Sequence, residues 1–166
     1  MAGKNDAKVN ELVKYPMELI DSSISEIRLL SSKQVTPLKD INLKELIQTL
    51  LDELTENTAI KPNFVYNVIN GAIDDDLKLN IYRIIQEQIN NIMKHASPKH
   101  VNVSIQASGK AIHIRVTDDG KGFNTSNKRK GIGISNMINR IKSFDGVVAF
   151  ESSPGKGCAV QIKIPY

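Results

Sequence analysis

Residues 77–94 constrain this chain more than any other stretch. Leu77, Ile81, Ile84, Ile85, Ile89 and Ile92 recur at steps of three and four, the spacing of one apolar helix face. Asp74, Asp75 and Asp76 stand just ahead of it, where the orphan amides and the dipole of a helix start favour negative charge. Ala96-Ser97-Pro98 ends the pattern. A helix with one apolar stripe needs a surface to cover that stripe. The next residues supply one. Val101, Val103 and Ile105 alternate with Asn102 and Ser104; after the turn Ser108-Gly109-Lys110, Ile112, Ile114 and Val116 alternate with His113, Arg115 and Thr117. A period of two means half-buried strands, here antiparallel neighbours.

The flanking segments extend this plan. Phe64, Tyr66 and Val68 suggest a short strand before the helix, with Asn70-Gly71 as a turn. Ile134, Met137, Ile138 and Ile141 give a second helix that ends near Gly146. Residues 147–151 and 158–164 read as two more strands, joined through Ser152 to Gly157. The order strand, helix, strand, strand, loop, helix, strand, strand implies an α+β two-layer sandwich. Its sheet is mixed and mostly antiparallel, with helices on one face. A dinucleotide fold is excluded, because Gly131-Ile132-Gly133 lies well after the second of two consecutive strands and not at a strand-turn-helix opening.

Two further helical stripes lie upstream. Leu19, Ile20, Ile24, Ile27 and Leu29 or Leu30 follow Pro16, and Leu43, Leu46, Ile47, Leu50, Leu51 and Leu54 follow Asn42, a cap with Glu45 three residues on. The first stripe reads either as packing on its own domain or as half of a helical hairpin. Composition narrows the function classes. A net charge of +4 with scattered lysines and 5% aromatic residues argues against a nucleic-acid partner. Cys158 is the single cysteine, so an internal disulfide is ruled out, and its strand pattern suggests a small buried hydrophobe. No apolar run reaches the roughly eighteen residues of a membrane helix. The expectation is a soluble, cytoplasmic domain, with a membrane anchor in a longer parent left open.

Three patterns carry candidate chemistry. Glu87, Asn91 and Lys94 share a second face of the long helix. Asn91 offers a carbonyl oxygen to a hard cation such as Mg²⁺, Glu87 can take a proton or hold a metal-bound water, and Lys94 can meet a phosphate. The bland reading is a solvated face. Asp118-Asp119-Gly120-Lys121-Gly122 follows a strand; Asp118 can accept from an exocyclic amine, or be an ordinary turn aspartate. Gly131 and Gly133 open a helix, where exposed amides attract anions. His95 has no second ligand at zinc spacing. The Gly155-Lys156-Gly157 turn lacks the hydroxyl residue of a Walker loop.

In that order and spacing, the patterns resemble the ATP-binding domain of sensor histidine kinases, within the gyrase, chaperone, kinase and mismatch-repair ATPase superfamily with its Bergerat-type fold. The likeness covers residues 60 to 165 or so. Residues Glu87 to Ala96 look like the family's asparagine box, which implies Asn91 as the Mg²⁺ ligand, Glu87 as the acid or base, and Lys94 near the phosphates. Asp118-x-Gly120-x-Gly122 looks like the first glycine box, with Asp118 on the adenine. Gly131-Ile132-Gly133-Ile134 looks like the second, and Gly155-x-Gly157-Cys158 like the last, with Cys158 where threonine is usual.

The Lys94-His95-Ala96 ending and the Glu26-Ile27-Arg28-Leu29-Leu30-Ser31 segment are similar to the nitrate-sensor subgroup. By that resemblance residues 1–36 are the second helix of a dimerisation hairpin, 37–61 a linker helix and 62–166 the ATP-binding domain. The implied function is transfer of the ATP γ-phosphoryl to a histidine outside this sequence, on the dimerisation helix of a homodimeric parent, and then to a response regulator. A serine kinase of the same superfamily and a nucleotide-free docking module are the alternatives.

Overall fold

The computed structural model describes residues 20, 41–69, 73–125 and 132–166. Apart from the exposed Ile20, the upstream stripe behind Pro16 lies outside the described residues, as do the Asn70-Gly71 turn, Gly131 and the Lys128-Arg129-Lys130 run.

Helix α1 (Leu43–Asn57) starts where the Asn42 side chain accepts the Glu45 amide at 3.3 Å. It ends where Thr55 and Thr58 return their hydroxyls to the carbonyls of Leu51 and Leu54. Strand β1 (Lys61–Asn67) follows, then helix α2 (Asp75–His95). Asp74 caps α2 by accepting the Leu77 amide at 2.8 Å, and Lys94 and His95 sit in its last turn, so both ends complement the helix dipole. Strands β2 (His100–Ser108) and β3 (Ala111–Asp118) form the hairpin. Helix α3 (Ile132–Lys142) and strands β4 (Val147–Ser152) and β5 (Cys158–Pro165) complete the chain.

The five strands lie in the order β1-β2-β3-β5-β4. β1 runs parallel to β2; the other three pairings are antiparallel. The first strand begins earlier than Phe64 and ends at Asn67, which leaves Val68 beyond it. Its register pairs Lys61 with His100 and places Pro62 on an edge strand, where a missing amide is tolerated.

One face of the sheet presents Val101, Val103, Ile105, Ile112, Ile114, Val116, Val160, Ile162 and Ile164, all buried. The helices cover that face, with α2 packed between α1 and α3. Leu43, Ile47, Leu51 and Leu54 of α1 belong to the same core as Ile81, Ile85 and Ile89 of α2. The other face carries His113, Arg115 and Lys163, all exposed. The α3 terminus departs in detail from the expectation at Gly146. The left-handed residue is Asp145, at φ 54°, and the Gly146 amide returns to the Ile141 carbonyl at 3.0 Å.

Candidate functional site

The site lies at the end of the sheet where β3 and β4 stop and β5 begins. Register places Asp118, Cys158 and Ser152 in one row across β3, β5 and β4. Two residues along, the same alternation gives the buried Val116 and Val160, so the row faces the helices. The Asp118 carboxylate is half-buried and accepts the Gly120 amide at 2.8 Å. Burial pushes its pKa up, the Gly120 amide opposes that shift, and the neighbouring Asp119 charge adds to it. The Cys158 thiol is pushed up to about 11, first by burial and then by the Asp118 charge, which makes it a poor nucleophile. It was expected as a buried hydrophobe; it is half-buried and stands beside the one carboxylate of the row.

The glycine turn is seated on the end of α2. A Cβ on Gly120 would collide with the carbonyl oxygen of Ala96 and lie 2.8 Å from its Cβ. The Lys121 amide donates to that same carbonyl at 2.8 Å. Gly122 adopts φ 58° and packs against the carbonyls of Ser153 and Gly157, a conformation and a closeness that only glycine takes easily. Ser152 closes this side: its hydroxyl accepts the Phe123 amide at 2.9 Å and donates to the Gly157 carbonyl at 2.7 Å.

Two turns back along α2, the first turn of α3 meets the same helix. A Cβ on Gly133 would collide with Glu87 Oε1 and lie 2.7 Å from its carboxyl carbon. The half-buried Glu87 carboxylate therefore rests against the start of α3. Behind it, the buried Gln88 amide donates to Met137 Sδ at 2.9 Å and ties the two helices together. Asn91 lies between the two contacts, one turn after Glu87. Its Nδ2 is buried and has no hydrogen-bond partner among the described residues, an expensive state for an amide unless a ligand joins it.

Of the expected site residues, the fold thus brings together Glu87, Asn91, Asp118, Gly120, Gly122 and Gly133. Lys94 is exposed in the last turn of α2. Ile134 is partly buried and packs on the core. Ser152, Gln88 and the Asp119 contacts described below were not foreseen.

A cavity of about 510 Å³ opens at this end of the sheet. It takes Asp118, Ser152 and Cys158 from the helix side, and also Thr117, Glu151 and Ala159 from the opposite face. Its outline therefore wraps the sheet end and does not by itself mark a ligand; the row of residues and the two glycine contacts do. No cluster of three or more His, Cys, Asp or Glu side chains suited to a metal exists among the described residues. A cation here would depend on Asn91 together with oxygens of a bound phosphate, the arrangement Mg²⁺ commonly takes.

Residues 76–166 match the model of the histidine kinase-, DNA gyrase B-, and HSP90-like ATPase family. The chain belongs to that family. As an ATPase domain it takes ATP, and the residues at the sheet end fit that ligand: a half-buried carboxylate for an amine, cradles without side chains, and an unpartnered amide.

Among curated relatives, this ATPase domain is similar to the signal transduction histidine-protein kinase/phosphatase DegS of Brevibacillus brevis. They are 25% identical across 97% of this chain and 43% of that protein. It is also similar to the sensor histidine kinase LiaS of Bacillus subtilis, at 28% across 96% and 44%. The chain thus spans less than half the length of these relatives. Among solved structures, the Acinetobacter baumannii histidine kinase AdeS superposes with a TM-score of 0.67 over 90% of this chain and 79% of that one, at 16% identity. The histidine kinase domain of an Erythrobacter litoralis blue-light activated kinase gives 0.64 over 82% and 67%, at 19%. These two are likenesses of fold.

Proposed function

We propose that this chain is the ATP- and magnesium-binding part of a sensor histidine kinase. It directs the γ-phosphoryl of ATP to a histidine outside the sequence, for relay to a response regulator. The observation that carries the reading is the way α2 is gripped at two points. The Asp118 turn sits on its end at Ala96, the start of α3 sits on Glu87, and the unpartnered Asn91 amide lies between. That spacing suits a nucleotide with its base toward Asp118 and its phosphates along α2. The names of the relatives support a histidine acceptor over a serine one.

In this reading Asp118 accepts from the adenine amine, and Asn91 holds Mg²⁺ through its side-chain oxygen. Glu87 is the acid or base that takes the proton of the attacking imidazole, and Lys94 adds positive charge near the phosphates. The start of α3, from Ile132 through Ile134, borders the phosphate tail. The bond from the γ-phosphorus to its bridging oxygen breaks as the bond to an imidazole nitrogen forms, and ADP leaves. Positioning and charge neutralisation do most of that work. The acceptor is proposed to come from elsewhere; of the three histidines here, His95 closes the last turn of α2, His100 is engaged by Asp119 at 2.7 Å, and His113 lies on the sheet face away from the helices.

The parent is proposed as a homodimer of the nitrate-sensor-like subgroup, with this domain in the cytoplasm. Residues 1–36 would serve as dimerisation helix and 37–61 as linker. No helix among the described residues is long and apolar enough to cross a membrane.

The test is calorimetric titration of the folded chain with ATP, with and without Mg²⁺, followed by incubation with a histidine-bearing dimerisation domain and labelled ATP. Binding strengthened by Mg²⁺ and an acid-labile label on the partner are expected. A folded chain indifferent to ATP overturns the reading, and an acid-stable label on a serine-bearing partner transfers it to the serine-kinase alternative.

A further inference from the structure

The two aspartates of the glycine turn face different surroundings. Asp118 faces the helix side of the sheet end. Asp119 turns its carboxylate onto the backbone that follows α2. Its Oδ1 accepts the amides of Lys99 at 2.7 Å and His100 at 2.9 Å, and its Oδ2 lies 2.7 Å from His100 Nδ1. Building on the ATP reading above, we propose that Asp119 is a positioning residue for base recognition. By fastening the turn to Lys99 and His100, where β2 begins, it holds the Asp118 carboxylate at one place in the pocket.

Asp118 is the last residue of β3, and two backbone groups hold its carboxylate, those of Cys158 on β5 and of Gly120 in the turn. The Gly120 amide moves whenever the turn moves, so half of that hold depends on the turn. Four backbone hydrogen bonds and one carboxylate fasten the turn itself. The Lys121 amide reaches the Ala96 carbonyl, the Gly157 amide reaches the Gly120 carbonyl at 2.9 Å, the Asp119 amide reaches the His100 carbonyl at 3.3 Å, and the Gly155 amide reaches the Lys121 carbonyl. Of these fastenings the Asp119 carboxylate is the one made by a side chain. It is also the strongest in kind, because an ionised acceptor takes two consecutive backbone amides and so fixes both position and direction. Those amides, with the imidazole, hold the Asp119 pKa at about 2, so the fastening stays charged throughout the neutral range. Burial acts the other way on Asp118, and an ionised group in a half-buried place needs its surroundings held firm to stay oriented.

A merely structural role predicts equal loss for every nucleotide; a positioning role predicts loss of base discrimination. The experiment compares ATP with inosine triphosphate, which carries an oxo group in place of the adenine amine, by calorimetry on variants checked for folding by melting curves. Wild type should prefer ATP. Asp119→Ala should weaken ATP about tenfold and leave inosine triphosphate nearly unchanged, so that the preference collapses. Asp119→Asn keeps an oxygen for the two amides and should recover most of the preference.

An unchanged preference in folded Asp119→Ala, an equal loss for both nucleotides, or no recovery in Asp119→Asn each overturns the proposal and leaves the ATP reading standing. Should Asp119→Ala not fold, His100→Ala removes only the imidazole contact. It should lower the same preference by a smaller factor, and no change there overturns the proposal. A wild-type chain that binds ATP no better than inosine triphosphate removes the assignment of Asp118 and this proposal together.

Discussion

The site has two ends, and they are built differently. At the sheet end, the Asp118–Gly122 turn is held by backbone hydrogen bonds to Ala96, His100, Gly155 and Gly157 and by the Asp119 carboxylate on two backbone amides, and it meets the end of α2 backbone to backbone. At the helix end, α3 meets α2 through side chains: the Glu87 carboxylate over Gly133, the Gln88 amide on Met137 Sδ, and Arg140 on Asn80. Backbone contacts have one solution, whereas side-chain contacts can swing. The difference assigns stability and base reading to the first end and adjustable chemistry to the second. It can be broken with single substitutions.

The largest effect is expected at Gly120. An alanine there has nowhere to go, because the obstructing atoms are the Ala96 carbonyl and Cβ. Gly120→Ala should cost about 3 kcal/mol, the upper part of the usual overpacking range, or more. Urea denaturation reads it directly. A loss under about 1 kcal/mol would mean the turn can lift away from α2 and that the first end is not fixed by backbone.

Gly133→Ala meets a similar overlap at the other end, but with the tip of a flexible carboxylate. Stability should stay within about 1 kcal/mol, since alanine also favours the helix. Phosphoryl transfer in the parent kinase should fall about a hundredfold, at the low end of general acid–base contributions, because Glu87 is displaced. Loss of folding comparable to Gly120→Ala would erase the contrast between the two ends. Unchanged transfer would remove Glu87 from the chemistry.

Asp118→Ala sharpens the base assignment. Its loss should weaken ATP by about 1.5–3 kcal/mol, the range for a hydrogen bond to a charged group, or roughly ten- to a hundredfold. Calorimetry on the folded variant checks this, and unchanged affinity would place the base elsewhere.

How much of this was legible before the fold was known follows from what each signal encodes. Helix α2 was legible because six apolar residues hold one face and acidic residues mark its start. The β2–β3 hairpin was legible from alternation on both sides of a short turn. The parallel pairing of β1 was not: Phe64, Tyr66 and Val68 show a strand but not its direction or register, and Pro62 gave no sign that an edge position would accept it. Among site residues, Glu87, Asn91 and Asp118 stood out through spacing and resemblance. The row of Asp118, Cys158 and Ser152 did not, because it depends on register between β3 and β5, which are far apart in the chain. Gln88 lay hidden among isoleucines as one more polar residue of the helix. Asp119 looked like a repeat of its neighbour, since sequence alone cannot say which way either carboxylate turns.

The smallest expected effect distinguishes those two aspartates by their pH linkage. Asp119 has its pKa lowered to about 2, against roughly 3.9 in an unfolded chain. Its contribution to stability is therefore present above pH 4 or so, and is lost as pH falls through about 2, where the folded protein must take up the proton. Asp118 has its pKa raised by burial. Its contribution has the opposite sign: it is present below the unfolded value and is lost as pH rises through the folded value. Stability measured against pH for wild type, Asp119→Asn and Asp118→Asn should separate the two. The Asp119→Asn deficit should shrink on acidification, while Asp118→Asn should gain on wild type as pH rises from about 4 toward neutrality. A site residue whose removal stabilises the nucleotide-free domain while weakening ATP is held in place for its ligand and not for the fold. Two parallel profiles would show that the adjacent carboxylates share one environment, and the contrast drawn between them would fail.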